Sequence, residues 1–526
     1  GASINLRTAG IPSKAYAEVS GSYGSFNTHK ETVRVGSGLL GNHWAFDARI
    51  SNIQSDGYRD RATSDLKSYF LQGGYYGENT TLKLIAFGGK EKTYHAWDGI
   101  SREQLETDRT YNPNGAIKDD NLNKGNIIGF YDDQTDNYEQ TNYQLIFNHL
   151  FSPEWHLNIA LHYTDGFGYY QEYKNGRTLE EYGLKPFYLP ENTEAQTKTN
   201  LVRQKLVDSG FGGGVFSVDY KDEKLSASLG GGLNHYSNDH YGKVIWVKNY
   251  TEPLNPDHEY YRNNGSKTDG NIYAKANYQI TKGLHAYADL QYRYISYKIE
   301  GDNDKWDWTA DPGHLQRLNV NEDFSFFNPK AGLFWQFNPN HSAYASFAVA
   351  QKEPTRNNYT DGLFDELPRP EKMLDYELGY TFRNSRFTAG VNLYYMDYTD
   401  QLVLNGKVND IGEAMAENVK DSYRMGIELS LGARITDWLR WDLNGTWSKN
   451  RIKNYTGYMS DYNQNWKELY TQTAIYAGDT PISFSPSFMG NSLISFNYKG
   501  FDASLQSQYV SRQYLDNFGI DENSLD

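Results

Sequence analysis

The sequence lacks cysteine altogether, which removes disulfide frameworks, Cys-based metal sites and thiol nucleophiles from consideration. It also lacks any uninterrupted apolar run near the ~18 residues that a membrane-crossing helix needs, and its mean hydropathy is −0.77. A helical membrane protein is thereby excluded. There is no basic excess: 51 Lys and Arg face 66 Asp and Glu, for a net charge of −15. Nucleic acid is a poor partner for such a chain, because phosphate recognition requires a cationic footprint. The sequence has no GxSxG or HExxH motif and no acid/base pair stands out, so the expectation is a non-enzyme. Nothing at Gly1 resembles a signal peptide; an exported protein of this kind is expected to carry one upstream.

What the chain does have is aromatics, at 15% of 526 residues with 45 tyrosines, and a persistent period-two pattern. In 423–449 the residues Met425, Ile427, Leu429, Leu431 and Ala433 alternate with Arg424, Glu428, Ser430 and Arg434. After a break at 435–437, Leu439, Trp441, Leu443 and Trp447 alternate with Arg440, Asp442, Asn444, Thr446 and Ser448. The same two rows recur in 156–163, 225–234 and 284–294. Alternation marks strands with one apolar and one polar face, yet a sandwich core would give the same rows. Connection lengths separate the two cases. Tight breaks at 40–44, 76–80, 151–155, 220–224, 280–284, 337–341, 383–386, 435–439 and 498–501 alternate with long stretches at 97–137, 167–204, 236–269, 298–321, 352–371, 399–417 and 452–484. Strands that run up and down then place every tight turn at one end and every long loop at the other, the asymmetry of outer-membrane barrels. Tyr and Trp suit the two bilayer interfaces of such a barrel.

The fold class expected is therefore all-β: a transmembrane antiparallel up-and-down β-barrel whose apolar rows face hydrocarbon. About nineteen strands are counted, from near Ala15 to near Tyr514. Single-chain bacterial barrels have even strand numbers, so a complete barrel of about twenty-two strands is expected, with roughly three C-terminal strands beyond this sequence.

Three stretches resemble TonB-dependent outer-membrane receptors. GASINLRT (1–8) is similar to the segment that ends their N-terminal plug domain. FFNPKAGLFWQFNPNHSAYASFAVAQKEPT (326–355) resembles a barrel hairpin and the start of an extracellular loop. PRPEKMLDYELGYTFRNSRFTAGVNLYYMDYTDQL (368–402) carries the family's Pro-Glu and Tyr-Glu-x-Gly at Pro370, Glu371, Tyr376, Glu377 and Gly379. The texture is similar to Bacteroidetes receptors of the iron-chelate and cobalamin size class. The resemblance implies that 1–14 end the plug and lead into a receptor barrel over 15–526, in the outer membrane of a Gram-negative bacterium. It also implies import of a scarce metal chelate powered by the TonB–ExbB–ExbD complex, with outer-membrane lipid and lipopolysaccharide, and a surface lipoprotein, as further partners. A ferric siderophore is the first expectation for cargo, haem the second, and cobalamin or a glycan the third; no resident cofactor is expected. A passive porin or adhesin on the same barrel is the main alternative, and a soluble glycan-processing enzyme a distant one.

Ligand contacts should come from the long loops and the strand ends that lead into them. Candidates are Tyr94, His95 and Trp97, which open the longest loop, then Tyr169, Tyr170, Tyr236, His240, Trp306, Trp308, Arg356 and Tyr359. Aromatic faces with nearby cations can hold an aromatic or macrocyclic ligand; an interfacial aromatic girdle is the plainer reading. His95 and His240 are the histidines suited to axial haem ligation. His235 and His240 lie five residues apart, which is no recognised chelating pattern. GFGGGV (210–215) superficially resembles a phosphate loop but lies in a strand pattern, so small residues facing a crowded interior are expected. The acidic runs 119–126 and 131–137 lack the terminal Glu of a calcium loop.

Overall fold

A computed structural model describes Lys14–Leu525 apart from 121, 191–192, 256–257, 308–309, 362–366, 409–413 and 463–467. The GASINLRT segment lies outside the described residues, as does Trp308. Among the described residues one antiparallel sheet has 20 strands, and two small hairpins accompany it. No helix among them is long and apolar enough to cross a membrane. The chain divides into two compact units, one of 1–218, 230–270 and 295–323, the other of 219–229, 271–294 and 324–526.

The nineteen expected strands become twenty for a local reason. Leu439–Tyr462 pairs through its lower half with Phe488–Tyr498 and through its upper half with Glu468–Pro481. Those two segments are one course of chain, interrupted at 482–487. Several stretches expected as loops are instead strand. Trp155–Thr178, Lys198–Lys221, Leu225–Val247, His258–Gln279 and Leu284–Asp307 run 22 to 24 residues. About 9–11 suffice for hydrocarbon. Beyond it a ladder can continue in water without an apolar face, so the alternation fades while the hydrogen bonding goes on. The described residues between Lys352 and Glu371 do remain outside the strands, with one short helix, Arg356–Thr360.

The tight turns are built by local chemistry. Lys499 and Gly500 both have positive φ, 51° and 83°, between Tyr498 and Phe501. That is the type I′ geometry whose twist matches a two-residue hairpin, and glycine adopts it without strain. Asn384 accepts from the amides of Arg386 at 2.9 Å and Phe387 at 2.7 Å. Asp222 does the same for Lys224 and Leu225 at 2.8 and 2.7 Å. In each case a side-chain oxygen stands in for a missing backbone acceptor.

Register keeps like with like. Ile427 faces Trp447, Leu431 faces Leu443 and Ala433 faces Trp441, whereas Glu428 faces Thr446 and Arg434 faces Arg440. The apolar row is the one left uncovered: Ile427 is 45% exposed, Leu431 48% and Trp447 50%. Leu161, Leu290 and Leu378 in other strands are equally bare. A water-soluble protein rarely leaves so continuous an apolar surface open. The packed apolar cores lie instead at the long-loop ends. In the first unit Leu179, Tyr182, Leu184 and Phe187 fold onto Leu201, Val244 and Tyr260. In the second, Val403, Val419, Ile452, Tyr455 and Ile482 pack together with Phe518 against them.

This arrangement sets the cost of a charge by face. Leu429→Arg, on the apolar row near mid-strand, is expected to destabilise the folded protein by about 2–4 kcal/mol in vesicles. The adjacent Ser430→Arg, on the polar face, should change stability by less than about 1 kcal/mol. Chemical unfolding of the two variants side by side provides the comparison; equal losses would place hydrocarbon on neither face.

Candidate functional site

The first unit carries a buried aromatic and ionic cluster above its apolar band. In Trp155–Thr178 the exposed apolar row ends at Tyr163, and the charged Asp165 takes the next outward place. Tyr170 and Glu172 follow on the opposite face, beyond the membrane-spanning stretch. Glu172 accepts from Arg203 Nε at 3.0 Å and lies 2.9 Å from its Nη2. The same guanidinium reaches Asp304 at 3.1 Å and donates to the Tyr182 hydroxyl at 3.2 Å. Lys205 pairs with Asp304, and Lys174 with Glu172 at 3.1 Å. Three cations thus meet two carboxylates. Arg203 and Glu172 are almost wholly buried, with side chains 6% and 8% exposed.

Burial alone would raise the Glu172 carboxyl. The Arg203 guanidinium, with the Lys174 and Lys205 ammoniums, overrides it and holds the group down at about 2. Asp304 is lowered in the same way, burial opposing Arg203 and Lys205. Tyr170 lies under the Lys205 ammonium, 5.6 Å from ring centroid to nitrogen. Burial pushes the Lys174 ammonium below its usual value, Arg203 adding to the push and Glu172 opposing it. The two carboxylates are therefore ionised at neutral pH and face three basic side chains.

Next to it sits the start of the longest loop. His95 is 1% exposed, its ring stacked on Trp97 at 3.9 Å and edge-on to Tyr170 at 5.9 Å. Neither of its ring nitrogens has a close hydrogen-bond partner. Burial pushes the imidazole down to about 4, against the opposing pull of the Glu172 carboxylate and a weak interaction with the Thr135 backbone. It is neutral at physiological pH. Tyr94 is buried beside it and donates to the carbonyls of Tyr131 at 2.9 Å and Asn114 at 3.2 Å. The loop is a folded body. Asn112, fully buried, donates to the carbonyls of His95 at 2.8 Å and Asp60 at 3.0 Å. Arg61 lies 3.6 Å over the Phe130 ring. Asn175 ties the hairpin Ala116–Lys118/Ile127–Phe130 to its own strand, accepting from the Lys118 amide at 2.9 Å and donating to the Ala116 carbonyl at 2.8 Å.

Of the candidates read from sequence, His95, Trp97 and Tyr170 are brought together, whereas Tyr94 turns to the Asn114 and Tyr131 carbonyls. Tyr169 points to the opposite face from Tyr170, its ring 6.5 Å from Phe167. Tyr236 packs edge-on against Phe211 at 6.3 Å. His240 Nε2 lies 2.9 Å from the Asn238 amide, and His235 Nδ1 2.9 Å from the Thr268 hydroxyl. The two histidines thus make separate contacts. Trp306 sits over Gly313. Arg356 and the fully buried Tyr359 belong to the short helix of the second unit. Among the described residues no group of three His, Asp or Glu has metal-binding geometry. The glycines of GFGGGV lie within Lys198–Lys221 as expected, but a Cβ on Gly214 would meet Leu161 at 2.8 Å and one on Gly212 would meet Tyr163 at 3.2 Å. These two make room for outward side chains, whereas a Cβ on Gly213 would meet the inward Asn234, the crowding that was expected.

Sequence reading missed the ionic half of the site. The signal was there: Glu172 and Lys174, and Arg203 and Lys205, are pairs spaced by two, each on one strand face, and Asp304 stands on a third strand. Their complementarity appears only when the three strands are brought together.

Residues 74–524 match the family described as TonB dependent receptor-like, beta-barrel. The chain belongs to that family. It is therefore an integral protein of the Gram-negative outer membrane, in a family of receptors and transporters that work with TonB. Its apolar rows face lipid, and its tight turns lie on the periplasmic side. Similar solved structures include the ferric-catecholate import receptor Fiu of E. coli K12 (14% identity, 96% of this chain and 72% of that one, TM-score 0.62). The ferric yersiniabactin uptake receptor FyuA of Yersinia pestis is also similar (10%, 98% and 71%, 0.64), as is the ferric citrate transporter FecA (13%, 97% and 68%, 0.66). Comparison with curated protein sequences gives no match.

Two outcomes follow from the cluster. Arg203→Met takes away the guanidinium that Glu172 and Asp304 share, leaving each only its lysine, and is expected to cost up to about 3 kcal/mol, read as accelerated hydrogen exchange in 170–178 and 198–206. Adding Glu172→Gln and Asp304→Asn should not recover the loss, because Lys174 and Lys205 then lose their carboxylates. His95 resists protonation when buried, so the opened loop gains a proton below pH ~6.5 that the closed one refuses until about 4. Closure then weakens as pH falls through that window, by at most about 1.4 kcal/mol per pH unit. Protease cleavage within 97–134 should be roughly tenfold faster at pH 5 than at pH 7, and His95→Phe should remove the difference.

Proposed function

We infer that this receptor imports a metal chelate across the outer membrane, most fittingly a ferric siderophore, using energy delivered through TonB with ExbB and ExbD. The observation that carries this reading is the cationic, tyrosine-lined cluster of Arg203, Lys205, Lys174 and Tyr170 beneath the folded 95–134 loop. Anionic chelates are bound by charge-assisted hydrogen bonds and by aromatic faces in a site with little water. The cargo named for three similar structures is in each case a ferric chelate, which supports the same choice here. The metal enters as cargo. Energy coupling requires that the ligand bind the resting state more tightly than the energised one, and a pinned loop over an ionic cluster is suited to such a change.

Haem fits less well. Axial ligation by His95 would require Trp97 to leave its 3.9 Å stack, and His240 is engaged with Asn238. Cobalamin or glycan cargo finds no dedicated feature in the described residues. Outer-membrane lipid and lipopolysaccharide surround the receptor on this reading, and a surface lipoprotein is a natural further partner. The test uses the full-length receptor with and without its TonB-binding segment. Deletion should leave binding of a radio-iron siderophore at the cell surface within twofold while reducing its uptake at least tenfold. Uptake that persists after deletion would favour a passive pore.

A further inference from the structure

The outward face of the first unit is not uniformly ridged. The register carries one row from Val35 through Ala48, Leu71, Ala86 and Tyr143 to Tyr163, and a second from Phe46 through Gly73, Leu84 and Leu145 to Leu161. Where Ala48, Gly73 and Ala86 occur, no side chain rises above the backbone. Phe46, Leu71, Leu84 and Tyr143, exposed at 53, 49, 61 and 52%, stand around them. The result is an apolar groove of about 940 Å³.

Its position decides what fills it. Phe46 is the third residue of Trp44–Ser55 and Gly73 the fourth from the end of Ser64–Tyr76, both close to the tight turns. Those turns are periplasmic in this family, so the groove opens in the leaflet that holds phospholipid rather than lipopolysaccharide. At the same end Tyr75 packs against Trp44 and His43, with ring centroids 5.3 and 5.4 Å apart, the amphipathic rings expected at headgroup level. The groove is continuous with the lipid-facing belt; Asp47, the acidic residue along it, alternates to the opposite face, where the Tyr16 hydroxyl donates to its carboxylate. We propose that it is a seat for the acyl chains of an inner-leaflet phospholipid. A chain lying there meets protein beneath and on both sides, which multiplies dispersion contacts relative to a chain against a flat face. Such a lipid should be held through purification, unlike the exchanging lipid around it.

The test is native mass spectrometry of the receptor extracted in mild detergent. Wild-type protein should retain one phospholipid. Ala48→Leu combined with Ala86→Leu raises the floor of the groove and should reduce that occupancy at least tenfold. Ala389→Leu, at an outward place in the second unit, should leave it unchanged. Gly73→Val is a second way to fill the groove, because its new Cβ meets only the movable Phe46 ring, at 3.0 Å. Folded mobility on unheated gels confirms which variants to compare. Equal occupancy in wild type and both filled variants, a retained lipid of lipopolysaccharide type, or no retained lipid in the wild type would each overturn the proposal.

Discussion

Hydrocarbon offers no hydrogen bonds, and this constraint organises the whole chain. Every backbone N–H and C=O that crosses the membrane must find its partner in a neighbouring strand. Long antiparallel ladders follow, and from the ladders the strict division of each strand into two faces. The rows of Leu, Ile, Trp and Tyr then need no core to cover them, because lipid does so. The stability that a globular protein draws from an apolar interior is drawn here from the outside, and packed cores appear only where the strands emerge into water.

Above the membrane the rules change, and the same strands serve a second purpose. Freed from lipid, the extended portions of Trp155–Thr178, Lys198–Lys221 and Leu284–Asp307 bring charged residues to their inner faces. Arg203, Glu172 and Asp304 are deeply buried there. Desolvation makes such groups costly singly and strongly coupled together. The ladder is what fixes them within reach of one another. The loop that opens at His95 adds the aromatic half, anchored from below by Asn112 and from the side by Asn175. Rigid strands thus present a polar cluster beneath a pinned loop, an arrangement suited to a receptor that must bind its cargo and later release it.

The groove on the outward face shows the same economy on the lipid side. Small residues at Ala48, Gly73 and Ala86 cost the ladder nothing, since backbone pairing is indifferent to them. They shape a surface that hydrocarbon can enter.

Much of this was legible before any coordinates. The alternation in 423–449, the succession of tight and long breaks, and residues such as Asn384, Asp222 and Gly500 at the turns determined strands, faces and ends, because each depends on neighbours one to four residues away. Nineteen crossings could be counted for the same reason, and the break at 482–487 that makes twenty strands could not. Among the candidate residues, His95, Trp97 and Tyr170 were within reach of sequence because aromatic residues gather at strand ends. The ion pairs of Arg203 were not: Glu172 lies 31 positions away from it and Asp304 101. Local pattern told which side of a strand meets lipid. Only the tertiary structure decided which charges meet each other, because that depends on the register between strands far apart in the chain.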